Sequence, residues 1–90
     1  MIKTQSKKII NYPVNFYWCQ VIINNRLFTK LEISQYYKSK LGRSSVSDEI
    51  IKELVYQLYD REIEKKSLYY NSEPLYIGYR AYNLVWDYDE

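Results

Sequence analysis

Ninety residues suffice for one small domain, and 47% hydrophobic with 27% charged residues, two Gly and two Pro is globular rather than disordered or linker-like. The chain has no His, which removes imidazole general bases, His-containing triads and Cys/His zinc sites, and its single Cys19 removes an internal disulfide. The net charge of +2 conceals a division: residues 1–44 hold eight bases against one acid, Glu32, while residues 45–90 hold five bases against ten acids.

Such a division predicts an electrically two-sided domain unless the halves interleave closely, and a basic side suits a polyanion or an acidic protein surface. No repeat, linker or low-complexity tract interrupts the chain, so residues 1–90 read as a single domain. Residues 1–10 and 87–90 read as flexible ends. The apolar runs Phe16–Cys19 and Val21–Ile23 are too short for a bilayer span or a signal-peptide core. The chain therefore reads as a cytoplasmic protein with no membrane association.

Residues 9–28 admit two readings. Pro13 at a first helical turn, followed by Val14, Tyr17, Trp18 and Val21, suits a helix closed by Asn24-Asn25. The same stretch is dense in β-formers, and Asn24-Asn25 equally suits a hairpin turn into Arg26–Phe28. A helix is expected next, from about Lys30 to Leu41. Thr29 and Glu32 fit a capping box, Ile33, Tyr36, Tyr37 and Leu41 recur at helical spacing, and Gly42 supplies the stop. A second helix is expected from Ser47, an N-cap, with Asp48 and Glu49 at the positive end of the dipole and Val46 and Ile51 as a staple. Its stripe is Ile51, Leu54, Val55 and Leu58, and its expected end is near Glu64. A C-terminal antiparallel hairpin follows, with Leu68–Asn71 and Tyr79–Trp86 as strands and Asn71-Ser72-Glu73-Pro74 as the turn. In the second strand Tyr79, Ala81, Asn83 and Val85 share one face, and Arg80, Tyr82, Leu84 and Trp86 the other. The expected fold is thus α+β: two or three helices followed by a hairpin.

With a helix first, this order resembles a winged helix-turn-helix domain. Leu27-Phe28-Thr29-Lys30-Leu31-Glu32-Ile33-Ser34 is similar to the entry into that family's second helix, and Ser45-Val46-Ser47 to the entry into its third. The resemblance implies DNA binding through the third helix. That helix, between Ser47 and Glu64, holds six acids and two bases, which phosphates repel. A nucleic acid would then meet the basic half instead, through Lys7, Lys8, Arg26, Lys38, Lys40 and Arg43. With a hairpin first, the chain looks loosely like RelE/ParE-type toxins, and the resemblance implies a ribosome-dependent ribonuclease with Tyr79, Arg80 and Tyr82 handling mRNA.

Few groups remain for catalysis. Cys19, beside Trp18 and Val21 with no imidazole to activate it, reads as a buried structural thiol. Asp87, Asp89 and Glu90 read as a solvated tail. No catalytic residue, metal or cofactor is expected. Tyr, Trp and Arg are enriched at interface hot spots, so the hairpin residues Tyr76, Tyr79, Arg80, Tyr82 and Trp86 are the expected partner-binding set. The leading expectation is a small non-enzymatic protein-interaction or inhibitor module, of the kind phages and other mobile elements encode, with a protein as partner and a homodimer also allowed. A winged-helix DNA-binding regulator and a RelE/ParE-like toxin are the alternatives.

Overall fold

Asn24 and Asn25 both have positive φ, 53° and 62°. Two successive left-handed residues form the two-residue turn whose twist matches paired strands, and Asn is among the few side chains that tolerate it. The turn joins β2 (Val14–Ile23) to β3 (Arg26–Ser34) in an antiparallel hairpin, with Ile23 opposite Arg26 and Val14 opposite Ser34. A bulge between Trp18 and Val21 interrupts the ladder. The hairpin reading of residues 9–28 therefore describes β2, and the helical one is overturned.

The computed structural model describes residues 1–4, 12–40, 45–62 and 71–88. β1 (Ile2–Thr4) lies between the two hairpins, parallel to β3 and antiparallel to β5 (Arg80–Tyr88), and β4 (Asn71–Ile77) forms the far edge. The result is a five-stranded mixed sheet of order β2-β3-β1-β5-β4 with one helix, α1 (Asp48–Tyr56), among the described residues. The expectation of two or three helices ahead of a terminal hairpin is thus overturned, and the winged-helix arrangement with it.

The helix expected at residues 30–41 divides: residues 30–34 are the end of β3, and only Gln35–Ser39 are helical. Residues 26–34 are rich in β-formers, and pairing with β2 across the Asn-Asn turn satisfies their backbone more completely than an isolated capping box at Thr29 and Glu32. Helical backbone begins only after Ser34, whose side chain accepts from the Tyr36 N–H, as a single 3-10 turn over Gln35–Ser39; Leu41 and Gly42 lie outside the described residues. α1 does start at Ser47, whose side chain accepts from the Ile50 N–H. It ends at Tyr56 rather than near Glu64, in turns that close on Asp60, another positive-φ residue at 59°.

The second hairpin forms with a different turn. Ile77 is opposite Arg80, so the connection is Gly78-Tyr79, with Gly78 at φ 60°. Glycine first is the signature of a type II′ turn. Asn71-Ser72-Glu73-Pro74 is strand instead, and Pro74 is tolerated because β4 is an edge. Along β5, Leu84 and Trp86 are buried and Tyr82 half-buried, while Ala81 and Asn83 are exposed. The core joins these to Ile2, Val21, Ile23, Leu31 and Ile33 of the sheet and to the α1 stripe Ile51, Leu54 and Val55 with Leu58. Among the described end residues, Ile2–Thr4 form β1 and Asp87 and Tyr88 complete β5.

Candidate functional site

Among the described residues, the most elaborate polar cluster surrounds Asp48, the first residue of α1. Its Oδ2 accepts from Asn15 Nδ2 at 2.8 Å and from the Tyr17 hydroxyl at 2.5 Å, both on β2. Its Oδ1 accepts from the Tyr37 hydroxyl at 2.6 Å, and Gln35 Nε2 lies 3.1 and 3.3 Å from the two oxygens. Burial alone raises a carboxyl pKa, but the bonds from Asn15, Tyr17, Tyr37 and Gln35 outweigh it and hold Asp48 down at about 2. The phenols respond in the opposite sense. Tyr37 is raised by burial and by its bond to Asp48, and Tyr17 by its bond to Asp48 and then by burial. A carboxylate with four donors and a pKa this low is a poor proton acceptor. The cluster acts as a clasp that ties β2, the 3-10 turn and the start of α1 together.

A cavity of about 500 Å³ opens between the 3-10 turn, α1 and β5, with Tyr36, Tyr37, Lys40, Arg80 and Tyr82 in its lining. This brings together three candidates from two separate expected sets: Lys40 from the nucleic-acid set, and Arg80 and Tyr82 from the hairpin. Lys40 and Lys38 are exposed, with Nζ 4.9 Å from the Tyr36 ring centroid and 5.9 Å from that of Tyr37. Arg26 is also exposed, but at the Asn-Asn turn at the start of β3. Lys7, Lys8 and Arg43 lie outside the described residues.

The expected partner-binding residues divide. Trp86 is 0% exposed and stacks on Tyr88 at 5.8 Å, so it belongs to the core. Tyr82 is half-buried. Tyr76, Tyr79 and Arg80 are exposed together at the tip of the β4–β5 hairpin, which is anchored from below where Gln57 Nε2 donates to the Tyr76 carbonyl at 2.8 Å.

A second exposed apolar group, absent from that set, lies on the first hairpin: Phe16 and Trp18 on β2 and Leu27 on β3, with Tyr56 of α1 beside Trp18. The signal that finds it is the run of β-formers between Pro13 and Asn24, read as an edge strand. Cys19, in the same strand, is buried, and burial raises its thiol pKa. Among the described residues no helix is long and apolar enough to cross a membrane. No protein-family model matches this chain, and no curated protein or solved structure is significantly similar to it.

Proposed function

We infer that this chain is a small non-enzymatic binding protein whose β4–β5 hairpin engages a protein partner. The observation that carries the reading is the exposure of Tyr79 in a tight two-residue turn and of Arg80 beside it, with Tyr76 exposed on the other face of the same hairpin. Tyr and Arg deliver large contact area and directed hydrogen bonds for little conformational cost, and they dominate interface hot spots. The turn is short and its base is bonded to the end of α1, so little ordering remains to be lost on binding. The occupied Asp48 carboxylate favours binding over acid–base chemistry.

The test is a tagged pull-down from the source organism, run with and without nuclease. The wild-type chain is expected to hold a protein that the Tyr79→Ala/Arg80→Ala variant loses, and Lys38→Glu/Lys40→Glu is expected to keep it. Both altered hairpin side chains are solvent-exposed, so the double variant should keep its stability within about 1 kcal/mol. Retention by the hairpin variant overturns the reading, as does recovery of nucleic acid alone, lost on the lysine reversals.

A further inference from the structure

The two edges of the sheet are built differently. β4 carries Glu73 and Pro74, and a charge or a residue without a backbone N–H are two of the ways sheets keep an edge from pairing with another strand. β2, the opposite edge, is ten residues long and has neither a charged side chain nor a proline from Val14 to Ile23. Its last residues are covered: the Asp60 N–H donates to the Ile22 carbonyl at 2.6 Å, and the Asn24 N–H donates to the Arg61 carbonyl at 3.0 Å. From Val14 to Val21, no described strand pairs with its outward side.

Trp18 projects from this stretch at 79% exposure, with Phe16 at 64%. A groove flanks Trp18 on each side. One, of about 450 Å³, runs along Glu49, Lys52, Glu53 and Tyr56 of α1; the other, of about 700 Å³, runs past Gln20 and Thr29 to the same Tyr56. A projecting ring and hollows to receive it thus lie side by side on one surface. A two-fold contact needs this arrangement, because each copy must supply both halves of the fit. The charges around the patch balance. Glu49 and Glu53 stand with Lys52, which is bonded to Glu49 at 2.9 Å, and with Lys30, whose Nζ is 5.6 Å from the Trp18 ring centroid. Among the described residues nothing there repels a second copy, and nothing there draws a polyanion.

We propose that β2 pairs antiparallel with β2 of a second copy of this chain, giving a ten-stranded sheet across a two-fold axis, with Trp18 of each copy seated in a groove beside Tyr56 of the other. Four rings, Phe16 and Trp18 from each copy, remove on the order of 500 Å² from water. The strand backbones and the two Tyr56 rings bring the contact to roughly the 1,000 Å² that a specific interface needs. This surface is separate from the β4–β5 hairpin and does not depend on the function assigned to that hairpin.

The experiment is sedimentation velocity with light scattering on the full chain between roughly 1 and 200 µM. The expected result is a dimer that dissociates on dilution, as Trp18 emission moves to the red while buried Trp86 reports no change. Trp18→Glu is expected to weaken the dimer by at least about thirtyfold and Gln20→Lys by about tenfold, both with an unchanged circular-dichroism spectrum. The hairpin variant Tyr79→Ala/Arg80→Ala should remain dimeric. A wild-type chain monomeric throughout the range overturns the proposal, and so does a dimer indifferent to both β2 variants. Loss of the dimer in the hairpin variant overturns it as well.

Discussion

At the scale of single residues, Asp48 has two separate roles. As the first residue of α1 it meets the positive end of the helix dipole, and that role is legible in Ser47-Asp48-Glu49. Its second role, accepting from Asn15, Tyr17, Gln35 and Tyr37, is not, because the donors lie 11 to 33 positions away and converge only once β2 and the 3-10 turn have formed. The consequence for pH follows from the sign of the shift. The carboxyl is held below its unfolded value, so its contribution is complete above about pH 4 and is lost as the pH falls toward 2. After allowance for solvent screening the loss is on the order of 1–2 kcal/mol. The phenols limit stability from the other side: with Tyr17 and Tyr37 raised in the folded state, their contribution is present below the ordinary phenol range and fades as the pH rises through it. Asp48→Asn leaves the hydroxyls facing a neutral amide. It should lower stability by about 2 kcal/mol, lower the melting temperature by roughly 10 °C, and flatten the acid limb of a stability–pH curve. A variant whose acid limb matches the wild type would show that the clasp does not set acid stability.

At the scale of elements, both hairpins depend on backbone that few residues adopt. Gly78 sits at φ 60° with open space where a Cβ would stand, so Gly78→Ala should cost about 1 kcal/mol through the left-handed conformation alone, without steric collision. Urea unfolding measures this, and a neutral result would mean that the turn had changed type. The turns also explain how much of the fold could be read in advance. α1 was legible from Ser47 because a cap and a stripe are local. The strand nature of residues 29–34 was not, because Thr29, Glu32 and the spacing of Ile33, Tyr36 and Tyr37 also satisfy a helix, and only the pairing of Leu31 with Tyr17 and of Ile33 with Asn15 decides between them. Asn71–Pro74 has turn composition yet forms an edge strand, because Gly78 takes the turn four residues after Pro74. Of the expected hairpin contacts, Tyr76, Tyr79 and Arg80 stay exposed near the turn, whereas Trp86, on the same face of β5 as Arg80 but further from the turn, is buried.

At the scale of the whole molecule, the basic and acidic halves lie side by side in the sheet. β2 and β3 stand on one side of β1, β5 and β4 on the other, so the charge division runs across the strands. Three residues form the seam. Ile2 pairs with Leu31 on one flank and with Tyr88 on the other, and the buried Thr4 hydroxyl accepts from the Ser34 N–H at 3.2 Å. Ile2→Ala should cost about 2–5 kcal/mol in chemical denaturation, more than its place near the end of the chain suggests; a loss under 1 kcal/mol would mean that α1 alone holds the two hairpins together. The seam also orders events in time. Each hairpin closes over a few residues and forms in microseconds, but β1 must pair with a strand from each, and Ile2 meets Tyr88 across nearly the whole described sequence. The two hairpins are therefore expected to form first, and the sheet to close at β1 in a slower step.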